Sequence, residues 1–131
     1  MADNLVQHVL IVDDEESIRK YLKAFFQENG YHCKVASDSS EALISLHNHA
    51  FDLVVSDIAM PGTDGIQFMK TAKQSFPHLD FIIMTGYTAD YTYEDIINAG
   101  ATDYITKPYE AGEFRAKIGR IERERRILKD L

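Results

Sequence analysis

Three short segments, His8 to Val12, Leu53 to Ser56 and Phe81 to Met84, are almost continuously apolar and rich in Val and Ile. A strand with one wet face alternates apolar and polar residues, so runs of this kind predict strands buried on both faces. Between them the apolar positions take helical spacing: Ile18, Leu22, Phe25 and Phe26 before Gly30; Ala42, Leu43 and Leu46; Ile66, Met69 and Ala72 with Phe68 beside them; Ile96, Ile97 and Ala99 before Gly100. Each set predicts an amphipathic helix. Gly30 and Gly100 stand where a left-handed residue ends a helix, and Asp38 with Glu41 and Thr92 with Asp95 have the spacing of capping boxes at two helix starts. Two weaker strands, His32 to Ala36 and Asp103 to Thr106, and a last helix from Ala111 to Leu131 complete the pattern.

Five strands alternating with five helices predict an α/β fold: a doubly wound, five-stranded parallel sheet with helices on both faces and right-handed crossovers. Ligands in such sheets gather beyond the carboxyl ends of the strands. The chain of 131 residues has room for one domain, and 45% hydrophobic content is enough for a real core. One cysteine, Cys33, excludes an internal disulfide and a Cys-based zinc cage, and reads as a small packed residue of the second strand. No apolar run nears the roughly 18 residues of a membrane span, and the start lacks a basic leader, so a cytoplasmic protein without membrane contact is expected.

Charge separates body from tail. The net charge is -7, yet the stretch from Arg115 to Leu131 holds seven of the 14 basic residues and only three of the 21 acidic ones. An acidic body is a poor match for a phosphate backbone, whose binding depends on Lys and Arg, and points to a cation or basic partners. The basic tail is short and interleaved with Glu, so direct nucleic-acid binding is not expected of this domain.

Polar residues cluster where the strands end: the first ends in Asp13 and Asp14, the third in Asp57, the fourth in Thr85, and the fifth in Thr106 followed by Lys107 and Pro108. If those strands are neighbours, three carboxylates, a hydroxyl and an ammonium share one pocket. Carboxylates so crowded repel, and at least one should show a raised pKa unless a cation compensates. Magnesium suits an open site of carboxylates, carbonyls and waters, and a carboxylate beside it can serve as a nucleophile on phosphorus. Phosphoryl transfer asks mainly for positioning and charge neutralisation, which Lys107, Thr85 and Mg2+ would supply, with Asp57 as the central carboxylate.

These residues together resemble the receiver domain of two-component response regulators: Asp13-Asp14, Asp57 in Val-Val-Ser-Asp, Met60-Pro61-Gly62 with Gly65, Thr85-Gly86, and Tyr104 with Lys107-Pro108-Tyr109. The likeness runs from about Val6 to Arg120, leaving 121–131 as an extended C-terminal helix, a candidate linker toward an output domain. It implies a flavodoxin-like sheet in the order 2-1-3-4-5 and a phosphorylation-activated switch. By resemblance, Asp57 takes a phosphoryl group from a phosphohistidine of a sensor histidine kinase or phosphotransfer protein. Asp13, Asp14, Asp57 and the Ala59 backbone carbonyl hold Mg2+, Lys107 pairs with the phosphoryl oxygens, and the bond to Pro108 is cis. Thr85 and Tyr104 form the switch pair that alters the surface of the fourth helix, fifth strand and fifth helix. That surface would meet a downstream output domain or protein, with a homodimer through the same face as an option. Ala59 cannot hydrogen-bond an attacking water and Tyr87 could shield the phosphoryl group, so slow self-dephosphorylation is expected.

Other readings stand beside this one. Asp13-Asp14 could merely cap the first helix, and position alone does not separate the two roles. A magnesium phosphohydrolase with Asp57 as nucleophile is the enzyme alternative, but Ala59 stands where a haloacid-dehalogenase-like phosphatase would carry its second Asp. A flavodoxin-like cofactor binder would need a phosphate cradle in place of Asp13-Asp14-Glu15-Glu16. A non-phosphorylated interaction module would lack some of the pocket's main groups. His8, His32, His47, His49 and His78 are scattered, so metal ligation by histidine is not expected. In the tail, Phe114, Ile118, Ile121 and Leu128 recur along one seam that Arg123 to Arg126 interrupts. Packing as far as Ile121 followed by a solvated end is the favoured reading, with a linker or dimerising stub as the alternative.

Overall fold

The chain was described by a computed structural model covering residues 5–86 and 90–131. Its strands are β1 (His8–Val12), β2 (His32–Ala36), β3 (Leu53–Asp57), β4 (Asp80–Thr85) and β5 (Asp103–Thr106). They alternate with α1 (Glu16–Glu28), α2 (Ser39–Asn48), α3 (Gly65–Ser75), α4 (Tyr93–Asn98) and α5 (Gly112–Asp130). All four strand pairs are parallel and the order is β2-β1-β3-β4-β5, as expected. The central β3 is buried at every position, whereas the edge strand β2 alternates between exposed and half-buried residues until the buried Ala36. That difference is why one reads clearly in sequence and the other weakly.

The sheet carries a core on each face. On one side Leu10, Val54, Phe81 and Ile83 meet Leu46 of α2, Phe68 and Met69 of α3 and Ile96 of α4. On the other, Val9, Ile11, Val55, Ile82 and Met84 meet Leu22 and Phe26 of α1 and Phe114, Ile118 and Ile121 of α5. Helix ends follow their local signals. Gly30 and Gly100 have φ of 89° and 120°, where a side chain would be strained. The Asp38 carboxylate accepts the Glu41 N–H at 2.8 Å, and Thr92 and Asp95 form a reciprocal capping box. Helix α4 has only six residues and buries Ile96 alone, so Ile97 is 42% exposed although its spacing suggested an apolar face.

The apolar seam of α5 leaves the body after Ile121, and Ile127, Leu128 and Leu131 face solvent. The charge run beyond it is not all solvated. Arg125 donates to Asp80 Oδ2 at 2.6 Å and to the Asp52 carbonyl at 2.7 Å, which ties the last turns of α5 to the start of β4 and the turn before β3. Cys33 is half-buried, and burial pushes its thiol up to about 12. Among the described residues no helix is long and apolar enough to cross a membrane.

Candidate functional site

Strand register sets the site. Val12 pairs with Ser56, Asp57 with Met84, and Thr85 with Thr106, so the carboxyl ends of β1, β3, β4 and β5 finish side by side. The strands reach slightly further than their apolar runs: Asp57 and Thr85 are the last residues of β3 and β4, 5% and 2% exposed. Asp13, next after β1, is fully buried, while Asp14 and Ala59 are exposed.

One oxygen from each of Asp13, Asp14 and Asp57 lies within 4.8 Å of the other two. Lys107 Nζ stands 3.3 Å from Asp57 Oδ1 and 3.9 Å from Asp13 Oδ2. It is carried there by a backbone bond from the Lys107 N–H to the Thr85 carbonyl at 2.7 Å, and its peptide bond to Pro108 is cis. The Ala59 N–H reaches Asp57 Oδ1 at 3.4 Å, and the Thr85 hydroxyl donates to the Gly86 carbonyl at 3.4 Å. Backbone fills the space behind Asp57. The Gly65 N–H donates to the Ile58 carbonyl at 2.7 Å, and a Cβ on Gly65 would collide with the Asp57 carbonyl oxygen. Only glycine lets α3 start so close beneath the acidic strand end.

Neither residue of the Asp13-Asp14 pair caps α1. The N-cap is Glu15, without a side-chain cap bond, and Asp13 Oδ1 instead accepts the Glu15 N–H at 2.9 Å. Arg19, from the second turn of α1, donates to the Asp13 carbonyl at 2.9 Å and fixes the same residue from outside. The other oxygen, Asp13 Oδ2, is buried without a hydrogen-bond partner among the described residues. Burial, chiefly, and the negative charges of Asp57 and Asp14 push the Asp13 carboxyl up to about 6, against the pull of the Glu15 N–H and Lys107. A single ammonium at 3.3 and 3.9 Å leaves that crowding uncompensated. An all-oxygen donor set of this kind, with an orphaned buried carboxylate oxygen, fits a hard divalent cation such as Mg2+ and not a soft metal.

Tyr104 and Thr85 lie on the same sheet face, because Ile83 is the register partner of Tyr104 and Thr85 that of Thr106. Half-buried Tyr104 is held on the α4 side: the Tyr93 ring stacks on it at 4.3 Å and 6°, and Lys117 Nζ stands 5.7 Å from its ring centre. The Tyr93 hydroxyl is 3.1 Å from Thr106 Oγ1. Tyr91 donates to Asp64 Oδ2 at 2.9 Å, joining the segment before α4 to the residue that caps α3. Sequence spacing gave no sign of the Tyr93 stack or of the Tyr91 tether, because both span separate elements. Tyr87 lies outside the described residues. His8 and His32 stack at 4.9 Å at the amino ends of neighbouring strands, remote in register from the acidic pocket.

The sequence and the fold have clear relatives. A sequence profile described as the response regulator receiver domain matches residues 9–119. FleR, a response regulator protein of Pseudomonas aeruginosa, is 40% identical over 104 residues, covering 79% of this chain and 22% of FleR. PhoP, the alkaline phosphatase synthesis transcriptional regulatory protein of Bacillus subtilis, is 34% identical over 119 residues, covering 91% of this chain and 50% of PhoP. The chain thus spans half or less of these curated relatives. A solved receiver domain from Clostridium thermocellum superposes with a TM-score of 0.86 at 26% identity, covering 94% of this chain and 99% of that one. With the profile spanning most of its length, the chain belongs to the receiver domain family of response regulators.

Proposed function

We propose that this receiver domain is a switch worked by phosphorylation of Asp57, with a histidine kinase or phosphotransfer protein as donor. The observation that carries the reading is the placement of Asp57, with Lys107 Nζ at 3.3 Å and one oxygen each of Asp13 and Asp14 within 4.8 Å. An Asp57 carboxylate oxygen attacks phosphorus, forming a P–O bond as the P–N bond of the partner's phosphohistidine breaks and its electron pair stays on the imidazole nitrogen. Lys107 follows the negative charge as it spreads over the phosphoryl oxygens, and the Ala59 N–H and Thr85 hydroxyl offer further donors. Asp13, Asp14, Asp57 and the Ala59 carbonyl would hold Mg2+, which when bound neutralises charge shared between carboxylates and phosphoryl oxygens.

Movement of the Thr85 hydroxyl toward the phosphoryl group leaves space on the sheet face that it shares with Tyr104. The Tyr104 ring then exchanges its stack on Tyr93 for that space, and the α4–β5–α5 surface changes shape. This surface is the contact for an output domain or partner in the cytoplasm, and the domain reads no nucleic acid itself. The Ala59 methyl cannot hydrogen-bond an attacking water, so the acyl phosphate is long-lived.

The test is intact mass after incubation with a small phosphodonor and Mg2+. Wild type should gain one hydroxylamine-labile phosphoryl group and Asp57→Asn none. An equal gain on Asp57→Asn would refute the assignment, and repeated turnover of varied phosphoesters would replace the switch with a hydrolase.

A further inference from the structure

We propose that the Tyr109 hydroxyl is an outer support of the cation site, joined to Asp13 through a cation-bound water; this rests on the metal reading above. Two buried side-chain polar atoms have no hydrogen-bond partner among the described residues, Asp13 Oδ2 and the Tyr109 hydroxyl. The Tyr109 ring already has its packing: it sits edge-on to Phe114 at 5.3 Å, against the core on the α1 and α5 side. A phenylalanine would make the same contact. The extra oxygen is therefore unexplained by packing, and an unsatisfied buried hydroxyl is destabilising.

Tyr109 stands two residues beyond Lys107, whose Nζ is 3.9 Å from Asp13 Oδ2. Burial first, and then the charges of Asp13, Asp57 and Glu15 with Tyr21 among them, hold the phenol well above its ordinary range, so it stays protonated. A neutral phenol both donates and accepts, whereas Asp13 Oδ2 only accepts. Mg2+ keeps several of its waters when bound by carboxylates. One such water has a proton for the carboxylate oxygen and another for the phenol oxygen, which satisfies both orphaned atoms together. Groups in this outer position typically change metal affinity by about 10- to 100-fold when removed. Tyr109 is thus a positioning residue, acting through the water and Asp13 and not on the phosphoryl group.

The experiment titrates Mg2+ alone into wild type, Tyr109→Phe and Asp13→Asn by calorimetry, with thermal melts of each protein free of metal. Tyr109→Phe should bind Mg2+ about 10-fold more weakly while its metal-free melting temperature stays level or rises, since the substitution removes an unpaired buried oxygen. Undiminished Mg2+ affinity in Tyr109→Phe, with wild type binding and Asp13→Asn not, overturns the role of Tyr109 alone. A lower metal-free melting temperature with unchanged affinity also overturns it, making the hydroxyl structural. Absence of Mg2+ binding by wild type refutes the metal reading and this inference together.

Discussion

Asp13→Asn should make the metal-free protein more stable at neutral pH. The wild-type carboxyl is fully buried beside Asp14 and Asp57, and its pKa rises from 3.8 to about 6, mainly through loss of hydration. At about 1.4 kcal/mol for each tenfold change, keeping that group ionised in the fold costs about 3 kcal/mol. The sign follows from proton counting. Between pH 4 and 6 the folded chain holds a proton on Asp13 that the unfolded chain has released, so stability from this group is full below about pH 4 and falls as pH rises through about 6. Asparagine keeps the acceptor for the Glu15 N–H and carries no charge at any pH.

Urea unfolding in the presence of a chelator, at several pH values from 4 to 8, isolates this contribution as the difference between variant and wild type. The difference should be near zero at pH 4 and grow to about 3 kcal/mol in favour of Asp13→Asn above pH 7, or roughly 10 °C in melting temperature for a domain of this size. Saturating Mg2+ should reverse the order, because only wild type gains binding energy in the folded state. A difference that does not vary with pH, or a variant less stable than wild type at pH 7.5 without metal, would refute the argument that Asp13 is held ionised against its surroundings.

Gly65→Ala should lose about 1–3 kcal/mol in urea unfolding and slow phosphorylation of Asp57, since its Cβ would strike the Asp57 carbonyl and lie 2.9 Å from Ile58 Cα; wild-type stability would show that the two segments separate freely. Tyr93→Ala removes a stacked ring worth about 0.5–1.5 kcal/mol, so the inward position of Tyr104, followed by NMR of labelled tyrosine, should gain roughly 2- to 10-fold in population, and an unmoved equilibrium would count against a holding role for the stack. Arg125→Ala should cost about 1–3 kcal/mol by thermal melting through loss of its bonds to Asp80 and the Asp52 carbonyl, whereas a change of a few tenths would mark the contact as merely superficial.

Much of this molecule could be read from spacing because local order and burial coincide. Leu53 to Ser56 is apolar throughout because β3 has neighbours on both edges and cores on both faces, and the same central position places Asp57 in the middle of the pocket. His32 to Ala36 was fainter since β2 has one free edge and half-wet side chains. Asp57 and Thr85 are the strand ends that the sequence placed there, one residue past the apolar runs, because a polar residue ends an apolar run whether or not the backbone continues as strand.

The limits appear where one residue type serves two physical purposes. Aspartates before a helix are both good caps and good cation ligands, and spacing is identical for each. The structure excludes the cap through atoms: Asp13 Oδ1 accepts the Glu15 N–H, and Oδ2 is buried beside the other carboxylates with no hydrogen-bond partner among the described residues. Arg125 was hidden for the converse reason. In a run of five charged residues, Glu122 to Arg126, nothing local distinguishes the one that crosses to Asp80, 45 positions away, from its neighbours. Tyr93 likewise begins a six-residue helix whose buried face cannot be inferred from so few turns, yet its ring covers Tyr104. Contacts of this sort depend on how the strand order brings remote segments together, so they become legible only after the 2-1-3-4-5 sheet is known. The groups proposed to perform chemistry were visible because strand ends converge by rule, whereas the groups that restrain them depend on side-chain directions that no rule of spacing supplies.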